Sequence, residues 1–143
     1  MYGVFLTIMN HTSFVSLKFT KTKHLLCRAR INGFNATLLV DTGASNSCIH
    51  SELQKLFGLK TKGDPFDAAG ASEGKMKASM TKKCELHLGR HKLGKHAFVL
   101  LDLSHVNQTL QSQGAKPIEG ILGADFLMKN KIVIDYRQRK LIL

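Results

Sequence analysis

Leu38-Leu39-Val40-Asp41-Thr42-Gly43-Ala44-Ser45 is the stretch on which the reading of this chain turns. An apolar run that reads as a buried strand breaks at a carboxylate, followed by a small hydroxyl residue and a glycine. An ionised carboxylate is costly to bury unless it is paired or hydrogen-bonded, so Asp41 needs donors or a proton-sharing partner close by. Gly43 allows a tight turn and lets its amide approach the carboxylate with no Cβ in the way. By itself, an apolar-Asp-x-Gly sequence is read as an aspartate capping the turn after a strand. A second run changes the balance: Gly120-Ile121-Leu122-Gly123-Ala124-Asp125-Phe126-Leu127 supplies another apolar-Gly element, at the distance a small β-rich domain needs to bring it back under the first.

Around these two runs the chain reads as strands. Val15, Leu17 and Phe19 alternate with Ser16, Lys18 and Thr20, and Leu25, Cys27, Ala29 and Ile31 alternate with Leu26, Arg28 and Arg30, the period of half-buried strands. Asn32-Gly33 then predicts a two-residue hairpin turn, because both residues tolerate positive φ, and that hairpin aims Asp41 inward. Beyond the acid, Ser51-Glu52-Leu53-Gln54 reads as a capping box that opens a short helix with Leu53, Leu56 and Phe57 buried and Gly58 as its stop. Residues 64–79 hold Gly63's neighbour Asp64, then Pro65, Gly70 and Gly74 among small side chains, and are expected to form a mobile hairpin tip or a plain surface loop. Cys84, Leu86 and Leu88 alternate with Glu85 and His87, and residues 96–101 form an apolar strand. Ser104 is expected to cap a short helix that carries Val106 and Leu110 on one face and stops at Gly114. Asp125 is expected to cap a helix beginning near Phe126, a structural role. Residues 131–135 and 140–143 are the closing strands.

Taken together, Asp41-Thr42-Gly43-Ala44-Ser45, the Ile121-Leu122-Gly123-Ala124-Asp125-Phe126-Leu127 run and the ending Ile132-Val133-Ile134-Asp135-Tyr136 resemble the single-domain retropepsin-like aspartic peptidases. The likeness extends from about Leu25 to Leu143. It implies a mainly β fold, a small closed β-barrel with one or two short helices, occupying residues 1–143 as a single domain with its core at about 14–143. It also implies an aspartic endopeptidase. In that family two Asp-Thr-Gly turns face each other and their carboxylates activate a water molecule, whereas Asp41-Thr42-Gly43 occurs here once. The resemblance therefore calls for a homodimer in which Asp41 of each subunit is catalytic. Thr42, Gly43, Ala44, Ile121, Leu122 and Gly123 would support the site, with the Thr42 hydroxyl bonding across the two-fold axis and the Gly43 carbonyl offered to substrate. Ser45 and Asn46, with Ala69, Gly70, Ala71 and Ser72 of a flap, would contact a peptide or protein substrate. Two positions depart from the retroviral pattern: Ser45 stands where those enzymes carry an aspartate, and Ala124 where they carry the arginine that pairs with it. The joint loss leaves no unpaired buried charge. A catalytically silent peptide-binding or dimerisation domain is the alternative reading, since a fold does not dictate its function.

Composition narrows the classes further. A chain of 143 residues is long enough for one core and less than half of a two-lobed aspartic peptidase. With 43% apolar and 22% charged residues it reads as an ordinary globular domain rather than a disordered segment. No run reaches the roughly 20 apolar residues of a membrane span, and residues 4–9 are too short and lack a preceding basic region, so neither membrane insertion nor a signal peptide is expected. Three cysteines, Cys27, Cys48 and Cys84, without close pairing point to buried thiols and a cytoplasmic location. The net charge of +11 is spread along the chain with no block of five or six like charges, which predicts a solvated basic surface rather than a nucleic-acid stripe. Cys84, His87, His91 and His96 do not make a metal site in this reading, because Cys84 and His87 point to opposite faces of one strand and His91 lies in a turn. No cofactor is called for.

Overall fold

The computed structural model describes residues 13–68 and 76–143. Strands β1 (Phe14–Phe19), β2 (Leu25–Ile31) and β3 (Phe34–Val40) form an antiparallel meander in which Leu17 lies opposite Cys27 and Cys27 opposite Leu38. The register follows from the alternation, because only one face of each strand is apolar and a slip by one residue would turn that face to water. Between β2 and β3, Asn32 at φ 49° and Gly33 at φ 84° make the expected two-residue turn. Asn32 also works at a distance. Its Nδ2 donates to the carbonyl of Phe57 at 2.9 Å, and its Oδ1 accepts from the amide of Glu85 at 3.0 Å.

The remaining strands are β4 (Cys48–His50), β5 (Thr61–Ala68), β6 (Met76–Thr81), β7 (Cys84–Leu88), β8 (His91–His96), β9 (Val99–Leu101), β10 (Gly120–Leu122), β11 (Val133–Asp135) and β12 (Lys140–Ile142). Among the described residues two helices interrupt them, α1 (Ser104–Ser112) and α2 (Ala124–Lys129). The strand order is β11-β12-β1-β2-β3-β10-β4-β9-β6-β5, with the β7–β8 hairpin branching from β2.

Among the described residues this path has two ends, so the expected closed barrel is corrected to an open, branched sheet. The reason lies in β2, which changes partners along one edge. Residues 25–27 pair with β1 and residues 29–31 with β7, so the branch takes up hydrogen bonds without joining β5 to β11. The core lies between the layers, with Ile31, Leu38, Ile49, Phe57, Leu86, Leu88, Phe98, Leu122, Phe126 and Leu141 essentially dry.

Three helix expectations change in detail. Residues Ser51–Leu53 form a single 3-10 turn whose N-cap residue is His50, with no side-chain cap, so the capping box does not form. Phe57 is buried there, but Leu56 is 58% exposed. Helix α1 begins at Ser104 itself, and the side chain that serves its start is Asp102, whose Oδ1 accepts from the Ser104 amide at 2.9 Å. Gly114, at φ 79°, ends that segment as expected. Of residues 64–79, read as loop or hairpin tip, 64–68 and 76–79 belong to the paired antiparallel strands Thr61–Ala68 and Met76–Thr81. The proposed flap residues Ala69, Gly70, Ala71 and Ser72 lie outside the described residues.

Candidate active site

Strand β3 carries Leu38, Leu39 and Val40 through the core and stops at Asp41. The second signature run lies beside it. Strand β10 is parallel to β3, with Gly120, Ile121 and Leu122 opposite Leu38, Leu39 and Val40, and antiparallel to β4 on its other side. The ladder continues one step further, because the Asp41 amide donates to the Leu122 carbonyl at 3.0 Å. Thus the backbone of the acid is fixed by the centre of the sheet rather than by a loop.

The turn itself folds back on the carboxylate. The Gly43 amide donates to Asp41 Oδ1 at 2.9 Å, and the Ala44 amide donates to the Asp41 carbonyl at 3.2 Å. A Cβ on residue 43 would stand 3.2 Å from Asp41 Oδ1, so glycine is what lets the amide reach the acid. Asp41 is half-buried, while Thr42, Gly43, Ser45 and Asn46 are exposed. A carboxylate held by a backbone donor at the rim of an exposed turn can share a proton with a second group placed opposite it.

The glycines of the second run answer to close backbone approach. A Cβ on Gly123 would lie 2.7 Å from the Ala44 carbonyl oxygen, and one on Gly120 would lie 2.5 Å from that of Cys48. In the space so kept, the Ala124 amide donates to the Ala44 carbonyl at 2.7 Å and the Asp125 amide to the Ser45 carbonyl at 3.2 Å. Ser47 completes the clasp. Its Oγ accepts from the Gly123 amide at 2.9 Å and donates to Asp125 Oδ1 at 2.7 Å, while its own amide reaches the same oxygen at 2.9 Å.

Asp125 therefore does more than start a helix. The N-cap residue of α2 is Gly123, and the Asp125 carboxylate turns to Ser47 and, through Oδ2, to His96 Nε2 at 3.1 Å. Partial burial raises its affinity for a proton, but hydrogen bonds from Ser47, Phe126 and His96 outweigh this and hold the carboxyl below the usual range. His96 stands edge-on between Phe98 and Phe126, with ring centroids at 5.1 and 5.4 Å. The expected helix-capping role of Asp125 is thus replaced by a brace across three segments.

A pocket of about 290 Å³ opens beside Asp41 and Thr42. Leu25, Leu39 and Val40 supply apolar lining, Lys23 and His24 polar groups from the β1–β2 turn, and Ile134 and Tyr136 complete it. Of the residues singled out in the sequence, Asp41, Thr42, Gly43, Ala44, Ile121, Leu122 and Gly123 come together at the paired ends of β3 and β10. Ser45 and Asn46 approach through their backbones. Lys23, His24, Ser47, His96, Ile134 and Tyr136 were not singled out as site residues. Only Tyr136 left a signal, as an aromatic in step with Ile132 and Ile134.

Among the described residues no group of three or more His, Cys, Asp and Glu side chains is placed to hold a metal. Burial pushes the Cys27 thiol up to about 12 and those of Cys48 and Cys84 up to about 11, which leaves all three poor nucleophiles near neutral pH.

The aspartyl protease family profile matches residues 27–126, more than half of the chain. The chain belongs to the aspartyl protease family. Its match spans both the Asp41 turn and the Gly123 clasp, so the family's sequence pattern includes the two runs that the sheet brings side by side. Among solved structures, the retroviral protease-like domain of Ddi1 from Leishmania major is similar at 17% identity, with a TM-score of 0.60 over 82% of this chain and 86% of that one. A retropepsin-like aspartic protease from Rickettsia conorii matches at 18% identity and a TM-score of 0.57 over 92% and 89%. EIAV protease in complex with the inhibitor HBY-793 matches at 18% identity and a TM-score of 0.52 over 80% and 94%. At these identities the likeness carries the retropepsin-like fold. No curated protein sequence matches the chain.

Proposed function

We propose that two copies of this aspartyl protease family member form an aspartic endopeptidase, with Asp41 of each copy on either side of one water molecule. The observation that carries the reading is the Asp41 turn. The Asp41 backbone amide is held by the Leu122 carbonyl and its carboxylate by the Gly43 amide, the residue stands half-buried beside exposed Thr42 and Gly43, and the chain supplies one such Asp-Thr-Gly turn.

Two carboxylates brought within hydrogen-bonding distance cannot both ionise and so share one proton. The ionised Asp41 takes a proton from the water as its oxygen attacks the peptide carbonyl carbon. The protonated Asp41 gives its proton to the carbonyl oxygen, which yields a neutral tetrahedral diol. Collapse of the diol breaks the C–N bond, the departing nitrogen takes a proton from one carboxyl, and a diol hydroxyl returns one to the other. The products are a carboxylic acid and an amine, and the dyad is restored with its single proton. Ser45 and Asn46, beside the turn, and the apolar lining of Leu25, Leu39 and Val40 would bind the peptide, and no cofactor takes part.

A silent peptide-binding domain is favoured only by the absence of a charged pair at Ser45 and Ala124. The two readings part in one experiment. The purified chain is incubated at high concentration with a diverse peptide library from acidic to neutral pH, with and without a statyl-type transition-state inhibitor. Cleavage that the inhibitor abolishes supports the peptidase. Peptide binding without cleavage at every pH overturns it in favour of the silent domain.

A further inference from the structure

We infer that the outer face of β2, β7 and β8 binds the phosphate backbone of a nucleic-acid duplex through Arg28, Arg30 and Lys92, without reading its sequence. The inference stands apart from the catalytic reading above.

Its origin lies in where the acids go. The chain has 21 lysines and arginines against 10 aspartates and glutamates. Asp41, Asp102, Glu119, Asp125 and Asp135 each accept from a backbone amide, and the Glu52 carboxylate lies 3.5 Å from His50. Among the described residues, Lys77 with Asp67 is the one ion pair of a lysine or arginine with an acid. Acids engaged with turns and loop amides do not neutralise the basic side chains, so the positive charge stays at the surface.

The basic residues are dispersed along the sequence, and the sheet collects some of them. Alternation along β2 buries Cys27, Ala29 and Ile31 and turns Arg28 and Arg30 to the other face. The register extends the row, with Arg30 opposite His87 of β7 and His87 opposite Lys92 of β8. Paired residues share a face and neighbouring strands lie about 4.8 Å apart, so the backbones of Arg30 and Lys92 are about 10 Å from each other and that of Arg28 about 7 Å along the strand from Arg30. On the other side, β3 sets Asn35 against Arg30 and Thr37 against Arg28, side chains of the kind that also reach phosphate oxygens. Two acids adjoin the row: Glu85 stands opposite Lys95, and Glu119 accepts from the Thr37 amide.

The side chains choose the partner. Arginine's planar fork matches phosphate oxygens in pairs. On β2, β3, β7 and β8 the exposed large apolar side chain is Phe34, which pairs with Ile31 and so belongs to the opposite face. The basic face therefore offers neither an aromatic platform for the bases of a single strand nor an apolar wedge for a membrane. A duplex carries its phosphates on the outside and needs neither. The row also stands clear of the acid. Asn35, beside Arg30, comes six residues before Asp41 on β3, about 20 Å at the rise of a strand, so a bound duplex leaves the catalytic turn open.

The test is fluorescence anisotropy of a labelled, mixed-sequence DNA duplex of about 20 base pairs, titrated with the full chain between about 50 and 200 mM salt. Three phosphate contacts give log K a slope of about −3 on log salt. Arg28→Glu with Arg30→Glu should weaken binding about tenfold or more at the lowest salt and bring the slope to about −1. Lys92→Glu, exposed on another strand, should weaken it about threefold or more. Lys60→Glu with Lys62→Glu, both exposed and outside this face, lowers the net charge as much as the arginine pair does and should leave Kd within about threefold of wild type. Circular dichroism melting checks that each variant is folded. Equal losses in the two double variants would make the attraction one of net charge alone and overturn the inference. Unchanged binding by Lys92→Glu, tighter binding to a single strand of the same sequence, equal binding to poly-glutamate, or no duplex binding at the lowest salt overturns it as well. Asp41→Asn should bind the duplex as wild type does. A chain that binds the duplex and cleaves no peptide leaves this inference standing and overturns the peptidase, and cleavage without duplex binding does the reverse.

Discussion

Ser47 Oγ lies 2.7 Å from Asp125 Oδ1 and accepts the Gly123 amide at 2.9 Å, so one buried hydroxyl joins the end of the Asp41 loop to the start of α2. The two residues are separated by 78 positions in sequence. Behind Asp125, His96 closes the connection at 3.1 Å. This brace holds the backbone that carries the acid while leaving the acid itself at the surface.

Ser47→Ala should therefore cost stability out of proportion to one lost hydroxyl. The Gly123 amide is left unsatisfied in a buried place and Asp125 loses a donor, which together amount to about 1–3 kcal/mol. Urea unfolding should show a lower midpoint with an unchanged slope. A midpoint equal to that of wild type would mean the brace carries no load.

Asp125 makes part of this stability depend on pH. Its carboxyl is held low in the folded chain by Ser47, Phe126 and His96 against the opposing effect of burial. A carboxyl whose folded value is depressed contributes stability above its unfolded value of about 3.9, and that contribution is lost as pH falls through the folded value. The unfolding midpoint should thus drop below about pH 4, and Asp125→Asn should flatten the drop in that window. An identical pH profile for the variant would contradict the assignment.

Gly123→Ala places a methyl group 2.7 Å from the Ala44 carbonyl oxygen and 2.9 Å from the Asn46 carbonyl carbon, both backbone atoms that cannot rotate away. The loop must shift, at a cost of about 1–3 kcal/mol or more by analogy with overpacked cores. Thermal melting measures the loss. Peptidase activity should fall further than the folded fraction does, because the displaced segment adjoins the Asp41 turn.

Asp41→Asn keeps the shape of the side chain and removes the shared proton, so hydrolysis should fall by several orders of magnitude with the melting curve nearly unchanged. Residual activity above about one per cent of wild type would refute Asp41 as the catalytic acid.

Mixing carries that test to the assembly. At a ninefold excess of freely exchanging Asp41→Asn chains, about one wild-type chain in ten meets a wild-type partner, so activity per wild-type chain should fall roughly tenfold. Full activity after exchange has been verified by labelled subunits would rule out a site built from two Asp41 residues.

What the sequence determined on its own was local. The alternation of Val15 and Leu17, the Asn32-Gly33 turn and the apolar run into Asp41 specify strands, a hairpin and an acid at a strand end, because each depends on neighbours within a few residues. Even the approach of the two signature runs was legible, since the second apolar-Gly run falls at the distance a small β-rich domain needs to bring it back under the first. Only the tertiary structure decided where β2 changes partners, which leaves the sheet open, since the choice between β1 and β7 depends on packing between distant segments. The same holds for Asp125. As a lone aspartate before a helix it reads as a cap, but folding brings Ser47 to one of its oxygens and His96 to the other, so donors from elsewhere in the chain make the carboxylate a link between segments. Lys23, His24, Ile134 and Tyr136 meet beside Asp41 for a similar reason. Ile134 and Tyr136 are marked only as part of an alternating strand and Lys23 and His24 not at all, because a pocket exists only where segments remote in sequence come together.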